Sequence, residues 1–247
     1  MYNQQYSQIY DLLHADKAYS SEVDFIYGMY NTHSVIELQN ILDVGCGTGN
    51  HLKHMSKEDV NILGVDPSAE MINIAREKQI KNTEFMVGDI SKLTLMETYE
   101  MVTSLFNVVN HINNLKDLKA FFRTIYYRVS YGGVFIFDCL NGIAATRDAP
   151  QDRYMEKEID GSVVKIDSRC ENDLFKSQFT MYNSMIWGNQ KIQYSLKQTL
   201  WPPKILIDML EDIGFEICKI YKAFDEEKEA SLDDYKIVFI VKKIIRS

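Results

Sequence analysis

The 247-residue chain has only four cysteines and four prolines, and it lacks any apolar run of the length that carries a helix across a bilayer. Cys46, Cys139, Cys170 and Cys218 stand far apart with no C-x-x-C pair, so neither a zinc site nor a disulfide framework is expected. His51 and His54 are close neighbours, yet no H-E-x-x-H pattern surrounds them, and no metal is expected there. Lys/Arg-rich runs and low-complexity tracts are also missing. Lys and Arg number 27 against 35 Asp and Glu, a net charge of −8. That balance argues against a nucleic-acid partner held by phosphate contacts and suits a small-molecule substrate. No signal-peptide pattern is apparent: Asp11, Asp16, Glu22 and Asp24 interrupt the N-terminal region. A soluble cytoplasmic protein without a membrane partner is expected. The length allows one α/β domain with a large core and a modest insertion.

What the chain does contain is the glycine-rich stretch Asp43-Val44-Gly45-Cys46-Gly47-Thr48-Gly49. It follows a buried-looking strand signal, Asn40-Ile41-Leu42, and precedes a polar segment able to start a helix. Glycines at alternate positions let the backbone turn sharply and approach a ligand with no side chain in the way. A second apolar run, Ile62-Leu63-Gly64-Val65, ends in Asp66, about twenty residues beyond the loop. Loop and carboxylate together describe a nucleoside cofactor, the loop for close approach and the acid for ribose hydroxyls. The dinucleotide frame G-x-G-x-x-G fails, because its sixth position is Asn50 counted from Gly45 and Leu52 counted from Gly47. The Gly-Lys-Ser/Thr ending of a P-loop is absent as well. A ligand-free strand-to-helix turn is the plainer alternative, and the spacing to Asp66 speaks against it.

In this Asp-x-Gly-x-Gly-x-Gly form with a distant acid, the chain resembles the class I S-adenosylmethionine-dependent methyltransferases. The resemblance implies S-adenosylmethionine as cofactor, with Asp43, Gly45, Gly47 and Gly49 in the loop and Asp66 on the ribose. It also implies a Rossmann-like α/β fold, a mostly parallel seven-stranded sheet, here with an antiparallel β insertion.

The pattern along the chain agrees with an α/β fold. Strands are predicted at 40–44, 61–65, 84–87, 100–105 and 133–138, with helices at 50–57, 68–78 and 115–129 and a short one near 91–96. Gly132-Gly133 punctuates the start of the apolar Val134-Phe135-Ile136-Phe137. Alternating βα units with apolar strands argue for a parallel sheet covered on both faces. After about position 145 the pattern becomes an antiparallel meander of about three strands, at 162–169, 176–186 and 191–201. Pro202-Pro203 then opens a helix that Gly214 closes, before two final strands at 215–223 and 235–242. Residues 1–30 read as a helical lid. Within it Tyr2, Tyr6 and Tyr10 share one face, a stripe that suits a polar ligand or a wet boundary. Residues 31–144 with 202–247 read as the cofactor-binding core. Residues 145–201 read as an insertion serving as a substrate cap or as the surface of a homodimer.

Open α/β sheets bind ligands at the carboxyl ends of their strands. That rule gathers the glycine loop, Asp66, Gly88-Asp89-Ile90 and the segment 105–111 around one crevice. By the resemblance, Asp89 accepts from the adenine amino group, the Ile90 amide meets the ring, and Leu105 lies along the cofactor. A strand-end Asp that merely caps a helix is the alternative for Asp89. His111 closes the fourth segment on the substrate side. A histidine ordinarily titrates at about 6.5, so it can take a proton near neutral pH.

A narrower resemblance lies in Tyr2, Tyr10-Asp11-Leu12, Lys17 and Tyr19, in Gly49-Asn50-His51-Leu52, and in the pair Phe106 and His111. These resemble the antibiotic-pathway amino-sugar N,N-dimethyltransferases, which act on nucleotide-linked deoxysugars. The resemblance implies that Tyr2 and His111 are the catalytic pair at the substrate amine, and that Tyr10 and Lys17 hold the cofactor carboxylate. Two departures stand out. The acid-Pro-Trp-type segment after the fifth strand is replaced by Phe137-Asp138-Cys139-Leu140-Asn141-Gly142, and Gly45 stands where that family tends to have alanine. The expected activity is N-methylation of an amino sugar. An O-methyltransferase of a small hydroxylated metabolite and a catalytically silent cofactor-binding protein remain open. No acid cluster near the fourth strand supports a magnesium-dependent variant.

Overall fold

The core is built from strands buried on both faces. In β5 (Val129–Leu140), Phe135, Phe137 and Cys139 point to one side and Val134 and Ile136 to the other, and all five are shut off from water. Such a strand reads as an unbroken apolar run because neither pleat meets solvent. The computed structural model describes residues 4–57, 59–93, 95–159 and 161–244. Beside β5 lie β4 (Tyr99–Ser104), β1 (Asn40–Val44), β2 (Asn61–Asp66) and β3 (Thr83–Val87), all paired in parallel. On its other side β11 (Lys236–Lys243) runs antiparallel, followed by β10 (Phe215–Lys222). The resulting seven-stranded order is β10-β11-β5-β4-β1-β2-β3. Strand order reverses between β1 and β4, which opens a crevice at their carboxyl ends.

Helices cover both faces. On one, α5 (Leu115–Arg128) and α7 (Pro203–Ile213) bring Leu118, Phe122, Ile125, Leu206 and Leu210 onto Phe135, Phe137 and Phe239. The Phe137 and Phe239 rings stack at 4.8 Å. On the other, α2 (Tyr19–His33) and α3 (Asn50–Met55) pack Ile26, Met29, Leu52 and Met55 against Ile41, Met101, Ile136 and Val238. Each such burial contributes about 1.5–3 kcal/mol. The Ser68 hydroxyl caps α4 (Ala69–Glu77) by accepting from the Met71 amide at 3.2 Å. The Asn114 side chain caps α5 in the same way, from the Asp117 amide at 2.9 Å.

The insertion forms its own four-stranded antiparallel sheet of β6 (Arg153–Ile159), β7 (Ser162–Asp173), β8 (Gln178–Trp187) and β9 (Gln190–Thr199). Its inner face, with Val164, Ile166, Met185 and Ile192, packs on Tyr6 and Ile9 of α1 (Gln4–Leu13) and on Met71 of α4. The short α6 (Gly142–Arg147) leads into it from β5.

Three sequence expectations need correction. The insertion has four strands, not about three: β6 is exposed from Arg153 to Glu156 and alternates charged with apolar residues too weakly to show its period. The described residues 91–93 and 95–96 form turns and irregular chain, not a short helix. Gly132-Gly133 does not mark the start of β5 but sits inside it, at a register shift against β4. A Cβ on Gly133 would lie 2.5 Å from the Glu100 carbonyl oxygen, so the glycine permits a bulge. In the N-terminal region the described residues form two helices that part company: α1 borders the crevice and the insertion, whereas α2 lies in the core.

Candidate cofactor and acceptor site

The glycine loop runs from the end of β1 into α3. Gly45 and Gly47 have φ of +80° and +55°, in the left-handed region where side chains are strained. A Cβ on Gly45 would strike Val108 at 2.5 Å, so the loop and the segment after β4 touch backbone to side chain. Gly47 has nothing within 4 Å of its would-be Cβ and instead opens to the crevice. Its amide donates to Asp66 Oδ2 at 2.9 Å, while the Ser68 amide donates to Asp66 Oδ1 at 2.8 Å. Each carboxylate oxygen keeps a further lone pair for a ligand. Burial raises the Asp66 pKa, and these two amide hydrogen bonds pull it back.

Asp43 lies beneath the loop. It is 2% exposed and accepts from the Thr103 hydroxyl at 2.7 Å. Burial pushes its pKa up to about 7 against the pull of that hydrogen bond.

After β4 the chain makes a strained turn. Phe106 and Asn107 have φ of +71° and +61° in succession, uncommon for residues with side chains. Asp138 at the end of β5 holds the turn: its Oδ1 accepts from the Asn107 amide at 3.1 Å, and its Oδ2 pairs with Lys236 at 2.6 Å. The turn aims Phe106, Val108 and His111 into the crevice. Asn107 Oδ1 is buried with no hydrogen-bond partner among the described residues.

The crevice measures about 480 Å³. Gly45, Gly47, Asp66, Leu105 and Phe106 line it from the sheet, Met71 from α4, Tyr10 from α1, and His111 from one end. A small recess beside it is walled by Tyr19, Thr48, Asn50 and His51. A glycine-floored cradle, a carboxylate at the rim and apolar walls fit a nucleoside carrying a short polar tail, and the volume is in the range of small-molecule sites.

Of the residues singled out in the sequence, the structure brings Tyr10, Gly45, Gly47, Asp66, Leu105 and His111 to this crevice. The other described ones are not among its walls. Gly49 packs its Cα face against Phe85 and Ile80. Asp89 accepts from the Ser91 amide and hydroxyl at 3.0 and 2.7 Å and pairs with Lys92, the pattern of a local turn cap. Ile90 is buried in the core. Lys17 pairs with Glu22, which also bonds His51 Nε2 at 2.8 Å. The Lys17 ammonium lies 4.6 Å from the Tyr19 ring centre and 5.3 Å from that of Phe106. Tyr2 falls outside the described residues.

Sequence reasoning missed a second group. Asp11 of α1 accepts from Thr48 Oγ1 at 2.5 Å and Asn50 Nδ2 at 3.0 Å, and pairs with Lys78 at 2.6 Å. Lys78 also donates to the Thr48 carbonyl at 2.7 Å and to Asn50 Oδ1 at 2.6 Å. This cluster latches α1 to the glycine loop. No spacing rule joins Asp11 to Lys78, because they come from separate helical regions.

His111 is half-buried, and that burial lowers its pKa while the Lys197 backbone works the other way. Its Nε2 stands 3.4 Å from Gln198 Nε2. A half-buried imidazole in the wall of a nucleoside-sized crevice can accept a proton there.

Comparison with known proteins agrees with this geometry. Residues 41–133 match the family described as "Methyltransferase domain". Over 140 residues the chain is 29% identical to dTDP-3-amino-3,4,6-trideoxy-alpha-D-glucopyranose N,N-dimethyltransferase of Streptomyces venezuelae, covering 56% of this chain and 58% of that one. The chain thus spans a little over half the length of that curated relative. Over 239 residues it is 26% identical to dTDP-4-amino-2,3,4,6-tetradeoxy-D-glucose N,N-dimethyltransferase of Saccharopolyspora spinosa, covering 95% and 86%. Among solved structures, a S-adenosylmethionine-dependent methyltransferase from Clostridium acetobutylicum superposes with a TM-score of 0.81 at 22% identity, over 98% of each chain. Residues 41–133 therefore match a methyltransferase domain, and the chain shares the fold of that S-adenosylmethionine-dependent methyltransferase.

Proposed function

We propose that this chain transfers the methyl group of S-adenosylmethionine to the amine of a small molecule, an amino sugar carried on a nucleotide. The observation that supports it most is His111: a half-buried imidazole with a lowered pKa in the wall of the crevice. The two curated relatives described above are named for nucleotide-linked amino sugars, and the acidic surface charge suits a small-molecule substrate better than a nucleic acid.

Bound in the crevice, the cofactor supplies a methyl group already activated by a positively charged sulfur. The chain's own residues do the rest. The Gly45–Gly47 backbone admits the ligand closely, and Asp66 offers lone pairs to ribose hydroxyls. Phe106, Leu105 and Met71 line the crevice and exclude water, so alignment is kept. Tyr10 and the Asp11 latch close it from the α1 side. His111 takes the proton that an amine must lose before or as it attacks. Tyr2 is proposed as an orienting hydroxyl, Lys17 as a partner of the cofactor carboxylate, and Asp89 and the Ile90 amide as contacts to the adenine.

The test is a methyl-transfer screen over nucleotide-linked amino sugars and their hydroxyl analogues, run on wild type and His111→Ala with cofactor binding followed by calorimetry. The expected result is turnover with an amine, lost by about a hundred-fold or more in His111→Ala, while cofactor affinity stays within a few-fold. The kcat/KM of wild type should fall as pH drops through a pKa below 6.5, because burial holds His111 neutral to lower pH than an ordinary histidine. Turnover with hydroxyl analogues alone would assign the enzyme to O-methylation. Cofactor binding with no turnover on either set, or full activity in His111→Ala, would overturn the reading.

A further inference from the structure

Side chains that sit opposite one another across the strands of the insertion point to the same face. On the inner face Met155, Ile166, Met185 and Ile192 form one such row, and its last three members are buried against α1. Lys157, on the same face of β6 as Met155, donates to the Leu13 carbonyl of α1 at 2.8 Å. The next row is polar: Arg153, Ser168, Asn183 and Tyr194, one from each strand and again in register. The Tyr194 ring lies 4.0 Å from that of Tyr6, which in turn lies 5.7 Å from Tyr10 in the crevice wall. Four residues further along β9, about 14 Å at strand rise, Gln198 Nε2 stands 3.4 Å from His111 Nε2. Half-buried Leu196 lies between them on the same face. The polar row and His111 are thus the two ends of one strip beside the cofactor crevice.

The row carries hydrogen-bonding capacity that the fold does not use. Asn183 is 5% exposed, and its Oδ1 accepts from the Ser168 hydroxyl at 2.7 Å. Its Nδ2 is buried with no hydrogen-bond partner among the described residues. An unpaired buried donor costs about 1–3 kcal/mol, which a ligand oxygen would recover. Arg153 stands two strands away, about 10 Å, within reach of its long side chain. It is exposed and makes no ion pair among the described residues. In a chain of net charge −8, an unpaired guanidinium in register with an unused amide donor is a local exception. Its chemistry suits the oxygens of a phosphate, which the forked guanidinium donors match.

We propose that Asn183 and Arg153 bind the diphosphate of a nucleotide-linked acceptor and so select such acceptors over a free amino sugar. This rests on the reading of His111 as the point where the amine reacts. The strip from His111 to the polar row is longer than one sugar ring and fits a sugar extended by a diphosphate. With the amine at His111 and the sugar along Leu196, the phosphate oxygens meet the row. Asn183 Nδ2 donates to one of them and the Arg153 guanidinium to others.

The experiment is calorimetric titration of thymidine diphosphate into the protein saturated with S-adenosylmethionine, comparing wild type with Asn183→Asp and Arg153→Gln. Asn183→Asp keeps an oxygen for the Ser168 hydroxyl but replaces the free donor by a carboxylate that repels phosphate. Affinity for thymidine diphosphate should fall about ten-fold or more in each variant, with S-adenosylmethionine affinity unchanged. With a nucleotide-linked amino sugar as acceptor, KM should rise by a similar factor at nearly constant kcat, while turnover of the free amino sugar stays at the wild-type level. A role confined to the fold would lower the melting temperature without that split between KM and kcat. No thymidine diphosphate binding to wild type, or wild-type affinity in both folded variants, would overturn the proposal. If Asn183→Asp fails to fold, the exposed Arg153→Gln decides. Nucleotide binding that is lost in the variants, with no amine methylated, would uphold the row and remove the amine-transfer reading. Methylation of amines with no nucleotide binding would do the reverse.

Discussion

Burial acts in opposite senses on His111 and Asp43. Losing water disfavours the charged form of each, so the proton affinity of His111 falls and that of Asp43 climbs to about 7. For His111 the result is a base that stays neutral at working pH. For Asp43 it is a cost to stability. An acid whose folded pKa lies above its unfolded value loses stability as pH rises, here through the window from about 4 to about 7. Asp43→Asn keeps an oxygen for the Thr103 hydroxyl and removes the titration. The variant should unfold at a higher temperature than wild type at pH 8, with the gap closing at pH 4. Equal pH dependence in melting curves of the two proteins would refute this. The loop acid was legible in the sequence as a motif position, but its burial was not, since that depends on which strands flank β1.

At the scale of elements, α1 is tied to the glycine loop chiefly through Asp11. Removing its carboxylate leaves Thr48 Oγ1, Asn50 Nδ2 and the Lys78 ammonium short of their shared acceptor. Asp11→Ala should weaken S-adenosylmethionine binding by about ten-fold and speed proteolysis within the α1–α2 connection at 14–18, with Asp11→Asn in between. Calorimetry and limited digestion check it; wild-type affinity and digestion in Asp11→Ala would show that the latch does not hold the helix. The tyrosine stripe was visible in the sequence, yet Tyr6 turns out to be buried against Tyr194 at 4.0 Å between ring centres. A four-residue spacing gives a shared face but not what covers it. The strand β6 was hidden for the converse reason: an exposed edge strand has no apolar face for alternation to reveal.

For the whole molecule, the order of strands decides where chemistry takes place. The reversal between β1 and β4 puts residues from distant parts of the chain at one rim: Tyr10, Gly47, Asp66 and His111. A ligand that binds only this assembled rim stabilises the folded state by mass action. S-adenosylmethionine at a hundred times its dissociation constant should add about 2.7 kcal/mol. The melting temperature should then rise by roughly 5–10 °C. Differential scanning fluorimetry with NAD as the comparison checks it; an equal rise with NAD, or none with S-adenosylmethionine, would contradict the cofactor assignment.

The local chemistry was written in the sequence: the spacing of Gly45, Gly47 and Gly49, the acid at Asp66, the alternation of βα units and the histidine at the end of the fourth segment. These are short-range patterns, since turns, strand periods and loop-to-acid spacings are fixed by backbone geometry over a few residues to a few tens. Only the tertiary structure decided which of these residues share a surface. It left Asp89 capping a turn and Lys17 paired with Glu22, it joined Asp11 to Lys78, and it brought Gln198 from the insertion to His111. Such partnerships come from packing between elements far apart along the chain, and no local pattern encodes them.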